Sequence, residues 1–267
     1  MGVFGNRVLG CTGLVAGPLG MSASYGAPAA SFEEAFERVC NYFYYGAVRR
    51  GGMRRALKNL IGQGFRDRLI VVIQSFTRWP WLLEPSLANA LKNLGTDHAD
   101  ILLLGYHNAG PAAGLMEKAA RLQEKGLFRF LGISTHNRGL VAPLAAQGRM
   151  DVFHVRYNAA HRGAEQDVFP MLPQNNPPGI VAFTGLCWGH LLNAKKMPPD
   201  MNPATPADCY RFCLSHPGVH VCVTGPKTAL HVREALKALD LGPLTDSEME
   251  RMRRMGDHVH GRHGGFF

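Results

Sequence analysis

The chain has 267 residues, of which 46% are hydrophobic, and it carries a formal net charge of +9. That length suits one large domain with a sizeable core, which excludes a disordered or fibrous chain. Lys and Arg are spread along the chain, and no RNP motif, zinc-finger spacing or helix-turn-helix stands out. We therefore expect these charges to lie on solvated helix faces, and the sequence does not favour a nucleic-acid partner.

The cysteine pattern and the N-terminal sequence indicate a cytoplasmic protein. None of the six cysteines forms a CxxC pair typical of a zinc ribbon. The first residues are rich in Gly and lack the long apolar run of a signal peptide. Apolar stretches elsewhere are of strand length. We expect a reducing environment, no metal site and no membrane span.

Short apolar runs alternate with amphipathic stretches along the whole chain. Several runs are apolar at consecutive positions, as buried parallel strands are. They predict eight strands, at residues 18–25, 42–45, 69–75, 101–104, 128–134, 152–156, 180–183 and 220–224.

Helical spacing predicts a helix after each strand. Ser31 and Glu34 form a capping box that predicts the start of the first helix, and Thr245 with Glu248 predicts the start of a terminal helix that ends at Met255. Residues 256–267 are rich in His and Gly, and we expect them to form a flexible tail. The intervening helices are expected at residues 54–61, 85–94, 115–124, 139–147, 165–172, 206–215 and 230–239.

Eight strands that alternate with eight helices predict an α/β fold of the (β/α)8 TIM-barrel type, formed as a single domain by residues 1–255. A doubly wound open sheet is the alternative. No G-x-G-x-x-G follows a strand, which argues against a Rossmann site and favours the barrel.

Several segments in this order resemble the aldo-keto reductase family. Residues 7–14 (RVLGCTGL) resemble its opening hairpin, and residues 84–104 (EPSLANALKNLGTDHADILLL) its signature helix and fourth strand. Residues 122–134 (LQEKGLFRFLGIS) resemble its L-x-x-x-G-K-I-R-x-I-G-V-S segment. The resemblance covers nearly the whole chain. It implies NADP(H)-dependent reduction or oxidation of a small carbonyl or alcohol.

The proton donor implied by the resemblance is a Tyr, assisted in the family by a Lys–Asp pair and a His, because an unperturbed Tyr has a pKa of about 10. Tyr45 aligns with the family's Tyr, and Tyr44 precedes it. The Asp-containing stretch is missing, Gln74 replaces the Lys, and Gly105 replaces the His. We therefore expect a proton donor that is assisted by residues other than those of the family. The candidate catalytic residues are Tyr45, Tyr44, His107, His136 and Gln74.

Cofactor contacts implied by the resemblance are better retained than the acid. Ser134 matches the family's amide-binding Ser, and Phe183 stands where an aromatic ring stacks on the nicotinamide. Lys227 or Arg233 would pair with a 2′-phosphate, which favours NADP. The predicted cofactor-binding residues are Ser134, His154, Phe183, Gly225, Lys227, Thr228, Arg233 and Glu234.

Three functions are compatible with this pattern. The first is an NADP-dependent oxidoreductase with a rebuilt proton donor. The second is a barrel that has diverged to non-redox chemistry, such as a lyase, dehydratase or isomerase step, because a fold does not fix a function. The third is a non-catalytic protein that binds a cofactor or a partner.

Overall fold

The structure is a computed structural model that describes residues 3–46 and 48–262. An antiparallel hairpin of β1 (Arg7–Val8) and β2 (Val15–Ala16) comes first. Eight parallel strands then close into a barrel, with β10 paired to β3. The predicted (β/α)8 architecture is confirmed, and the open sheet is excluded. The barrel strands are β3 (Leu19–Ser22), β4 (Tyr42–Tyr45), β5 (Ile70–Ser75), β6 (Ala99–Leu104), β7 (Phe128–Thr135), β8 (Val152–Arg156), β9 (Gly179–Phe183) and β10 (Val221–Thr224).

A helix follows each barrel strand, and one more helix follows the last of these. Two of the helices are short and are extended by neighbouring 3-10 turns. The helices are α1 (Ala29–Glu37), α2 (Gly51–Gly62), α3 (Pro80–Leu94), α4 (Ala113–Glu124), α5 (Val141–Ala146), α6 (Ala164–Asp167), α7 (Pro206–Ser215), α8 (Ala229–Leu241) and α9 (Asp246–Arg262).

The hydrophobic core has two parts, which lie on the two faces of the barrel wall. Side chains of consecutive strand residues point to opposite faces. On β4, Tyr42 therefore packs inside the barrel with Val72 and Leu103, whereas Phe43 packs outward against the helices. On each strand, every second residue points inward, as Tyr42 does on β4, and these residues line the barrel interior and its mouth.

Helix starts differ from the predicted ones at α1 and α3. The α1 helix begins at Ala29 after Pro28 and has no side-chain cap, so the predicted Ser31 capping box is wrong. Ser31 lies inside the helix and is buried. The α3 helix begins at Pro80, because Pro is well tolerated in the first helical turn, and the predicted start at Pro85 lies within it.

The start of α9 is as predicted, but its end is not. Glu248 N donates to Thr245 Oγ1 (3.3 Å), and Thr245 N donates to the Glu248 carboxylate (2.8 Å). The helix continues to Arg262, since Gly256 allows it to lie directly on the backbone at Ala159 and Val259 is buried. The predicted flexible tail is therefore wrong for residues 256–262. Its remainder, residues 263–267, lies outside the described residues.

The lower end of the barrel is closed by the hairpin. Leu9, Leu14 and Ala16 pack into the interior cluster. The backbone of Gly10 lies against that of Gly179, where a Cβ would stand 2.3 Å from the Gly179 nitrogen. The hairpin therefore seals the end of the barrel opposite to the carboxyl ends of the strands.

The described residues contain neither a candidate membrane span nor a candidate metal cluster. No helix within 3–46 and 48–262 has both the length and the apolar character needed to cross a membrane. In the same ranges, no group of three or more His, Cys, Asp or Glu side chains is arranged to hold a metal ion.

Candidate active site

The candidate site lies at the mouth formed by the carboxyl ends of the barrel strands, where sites of this fold are found. Strand parity and the interior cluster determine which side chains face it. The last inward-facing residues of β4, β5, β7, β8 and β9 are Tyr44, Gln74, Ser134, Arg156 and Phe183.

Tyr44 and Tyr45 have different environments. Tyr45 is 1% exposed and packs in the outer core, with the Arg50 guanidinium 4.8 Å from its ring centroid. It does not face the mouth, so the prediction that Tyr45 is the proton donor is wrong. Tyr44 faces inward, with its ring centroid 5.7 Å from that of His154. Burial, with a smaller contribution from Tyr106, holds the pKa of Tyr44 well above its ordinary value.

Gln74 and Gly105 occupy one space together. A Cβ on Gly105 would lie 2.3 Å from Gln74 Nε2 and 2.9 Å from Phe76 Cδ1, so the Gln74 amide lies against the bare Cα of Gly105. Gln74 Oε1 is buried and has no hydrogen-bond partner among the described residues. The absence of a side chain at 105 is therefore what allows the amide to lie there.

His107 lies beside the mouth and is buried. Its backbone N–H donates to Ser134 O (3.0 Å). Its Nε2 is a second buried atom without a partner in the described chain. Burial, followed by the charge of Arg78, lowers the pKa of His107, so the ring is neutral at neutral pH. The catalytic role of His107 stays a prediction.

An aromatic wall, which consists of Phe76, Tyr106, His136 and Phe183, borders the mouth. Tyr106 stacks on Phe76 (centroids 5.4 Å apart) and on His136 (5.6 Å), and His136 meets Phe183 edge-on at 5.3 Å. Tyr106 has a left-handed backbone, with φ 51°, which costs free energy and is typical of functional loops. Burial and Arg156 lower the pKa of His136.

Ser134 and His154 face the interior from β7 and β8. The Ser134 hydroxyl accepts a hydrogen bond from Tyr106 N (3.1 Å), which ties the aromatic wall to the barrel. His154 Nε2 lies 2.7 Å from the hydroxyl of Tyr42. Burial lowers the pKa of His154 to about 3, so this ring is neutral and acts as a hydrogen-bond partner inside the barrel.

The predicted phosphate-binding residues lie together between β10 and the first turns of α8. Thr228 caps α8 by accepting from His231 N (3.2 Å). Lys227 is exposed. Gly225 lies against the ring of Tyr25, where a Cβ would be 2.4 Å from Cε2. This segment has a cationic side chain and a helix N-terminus, which are two features that favour an anion.

Arg233 and Glu234 are engaged in exposed ion pairs. Arg233 Nε lies 3.1 Å from a Glu34 oxygen, and Lys237 Nζ lies 2.6 Å from Glu234 Oε1. Exposed ion pairs contribute little free energy, so both side chains can exchange these partners for a ligand.

Arg156 is a candidate residue that the sequence analysis missed. It is the last residue of β8, is 9% exposed, and faces the mouth two positions after His154. Its Nε is buried without a partner in the described chain. The signal was available in the sequence, since a residue two positions after a predicted site residue on a strand shares its face.

The architecture and the mouth define a (β/α)8 barrel with the fold of the aldo-keto reductases. A holo-form aldo-keto reductase from Bacillus halodurans superposes with a TM-score of 0.77 at 18% identity, over 94% of this chain and 96% of that chain. Its apo form gives 0.76 at 19% identity, with the same coverage. An aldo/keto reductase from Klebsiella pneumoniae, in complex with NADP and acetate, gives 0.74 at 19%, over 95% and 96%. The sequence matches no protein-family model and no curated protein.

Proposed function

We propose that the chain is an NADP(H)-dependent oxidoreductase of the aldo-keto reductase type, which reduces a small carbonyl compound with Tyr44 as the proton donor. The observation that carries the proposal is the inward placement of Tyr44 beside the aromatic wall. The fold adds support, because one solved neighbour is a holo form and another holds NADP.

The residues at the mouth fit a nicotinamide dinucleotide. Gln74 Oε1 and His107 Nε2 are buried polar atoms that lack partners in the described chain, and such atoms are costly unless a ligand bonds them. Phe183 offers an aromatic surface for a flat ring. Lys227 and Arg233, near the start of α8, supply cations for a phosphate.

Tyr44 would hold the proton in the reaction. The reduced cofactor, when it is bound, would supply a hydride to the carbonyl carbon of the substrate. The oxygen of the substrate then becomes more basic than a phenolate, so the Tyr44 hydroxyl can donate its proton even though its pKa is raised. The reverse step needs tyrosinate as the base, which the raised pKa disfavours at neutral pH. We therefore expect a reductase rather than an alcohol dehydrogenase.

The two histidines near the mouth would orient ligands rather than carry charge. Burial lowers the pKa values of His107 and His136, so both rings are neutral at neutral pH. His107 retains its unpartnered Nε2 for a hydrogen bond, and His136 contributes its ring to the aromatic wall. Because neither ring is charged at neutral pH, the acid at this site rests on the Tyr44 hydroxyl alone.

The experiment is a titration of NADPH followed by its fluorescence, and then turnover of an aldehyde panel followed by NADPH absorbance. The wild type should bind NADPH and consume it. Tyr44→Phe should lose at least a hundredfold in kcat with NADPH affinity retained, since a positioned acid contributes about 10²–10⁴ in rate. Tyr45→Phe is the matched control and should stay within about threefold of wild type, because its side chain faces the outer core. Absence of NADPH binding at millimolar concentration would overturn the proposal.

A further inference from the structure

Arg156 is a buried cation without a counter-charge. None of the hydrogen bonds and ion pairs among residues 3–46 and 48–262 involves this side chain, and its Nε is fully enclosed. Burial of an unpaired charge costs several kcal/mol, so proteins normally pair such groups or use them for a ligand. The other arginine that is buried among the described residues, Arg211, is paired and makes a two-pronged contact with Glu248.

The groups around Arg156 carry no negative charge. Burial raises the pKa of the Cys187 thiol to about 11 and lowers that of His161 to about 4, so both are neutral at neutral pH. His136 is neutral for the same reason. Arg138 is a second cation, which together with burial lowers the pKa of Arg156. The carboxylate of Asp167 is already bound to Arg138 at 2.9 Å.

We propose that Arg156 binds a carboxylate group of the substrate, so that the carbonyl compound reduced at this mouth is an oxo acid. This inference rests on the proposed function for the identity of the reaction, but the binding of the anion does not. The planar guanidinium offers two parallel N–H donors to a planar carboxylate, which is its best-matched partner.

The charge balance favours a carboxylate over a phosphate ester. One guanidinium neutralises a single negative charge, and the neutral His136, His161 and Cys187 add none. A phosphate dianion would retain a net charge in a largely buried site. The aromatic wall, which meets β8 through Phe183, would accommodate an apolar body attached to the carboxylate.

The test compares two aldehydes of one shape, 4-formylbenzoate and the neutral 4-formylbenzamide, by isothermal titration calorimetry with the full chain, with and without saturating NADP⁺. The wild type should bind the carboxylate at least tenfold more tightly than the amide, which is the usual scale of a hydrogen bond to a charged group. Arg156→Gln should remove this preference and leave the affinity for the amide unchanged. Arg121→Gln is the control, because it removes the same charge from an exposed position on α4.

The outcomes separate this inference from the proposed function. A tenfold preference that Arg156→Gln abolishes supports the inference even where NADPH is neither bound nor consumed. No preference in the wild type, or a preference that persists in folded Arg156→Gln, overturns it. A loss of NADP⁺ affinity in place of carboxylate affinity also overturns it, since the guanidinium then serves a phosphate of the cofactor. If Arg156→Gln does not fold, Arg156→Lys takes its place, because it keeps the charge but loses the two parallel N–H donors. This variant should bind 4-formylbenzoate several-fold more weakly than the wild type does, and an unchanged affinity contradicts the inference.

Discussion

The hydroxyl of Tyr42 and Nε2 of His154 lie 2.7 Å apart inside the closed barrel. Both side chains are buried, and burial lowers the pKa of His154 to about 3. The ring therefore stays neutral in the folded protein at pH values where it is protonated in the unfolded chain, since an unperturbed His has a pKa of about 6.5. This pair links the stability of the barrel to pH.

The first prediction concerns stability between pH 7 and pH 5. The unfolded state binds the proton first, so the contribution of His154 is complete above pH about 6.5 and decreases as the pH falls towards 3. The free energy of unfolding should decrease by about 2 kcal/mol through this residue between pH 7 and pH 5, at about 1.4 kcal/mol per unit. Urea unfolding at both pH values measures it. In His154→Gln, the free energy of unfolding should decrease between pH 7 and pH 5 by about 2 kcal/mol less than in the wild type. Equal decreases in the two proteins would contradict the role given to His154.

The second prediction concerns the direction of the reaction and its dependence on pH. Because the pKa of Tyr44 is raised, its hydroxyl stays protonated when a Tyr with an ordinary pKa of about 10 begins to ionise. The kcat/KM for carbonyl reduction should therefore show no ionisation of the acid up to pH about 10, and oxidation of the product alcohol at pH 7 should be at least a hundredfold slower. A fall in the reduction rate below pH 9 that Tyr44→Phe removes would be incompatible with this environment.

The third prediction concerns Gln74. Its Oε1 is buried without a partner, and an unsatisfied buried acceptor costs about 1–3 kcal/mol. Gln74→Met has a similar shape and lacks the amide, so it should raise the free energy of unfolding by about 1 kcal/mol while it weakens NADP(H) binding. Thermal unfolding and a fluorescence titration give the two values. A loss of stability in this variant would show that the amide is satisfied in solution.

The fourth prediction compares two glycines of α9. A Cβ on Gly256 would lie 2.0 Å from the backbone oxygen of Ala159, whereas Gly261 has nothing within 4 Å. Gly256→Ala should destabilise the protein by about 2 kcal/mol or more, since a backbone atom must move. Gly261→Ala should be neutral or stabilising by up to about 1 kcal/mol, because Ala favours a helix. Equal melting temperatures for the two variants would show that α9 does not pack on Ala159.

The barrel could be predicted from the sequence because its strands are short apolar runs that alternate with amphipathic segments. The β8 strand, at Val152–Arg156, has the predicted bounds, and the β10 strand differs by one residue. These runs are unambiguous because parallel strands are covered on both faces. Details that depend on tertiary contacts were less accessible. The capping pattern at Ser31 matches a helix start, but Ser31 is buried within α1.

The orientation of Tyr44 and Tyr45 was mispredicted for a definite physical reason. Residues Tyr42 to Tyr45 are all aromatic, so no polar residue indicates which alternate side chains of this strand point into the barrel. A shift of one residue exchanges the two faces of a strand, which is the difference between Tyr44 and Tyr45. Arg156 could have been found from the same alternation, because it lies two positions after His154 on β8 and therefore faces the same side.

The sealed lower end of the barrel has a consequence for the order of binding. Leu9 and Leu14 fill that end, so a cofactor and a substrate would share one opening. Of two molecules that use the same entrance, the one whose reactive end lies deeper must enter first and depart last. On the proposed function, turnover would then follow a compulsory order of binding and release.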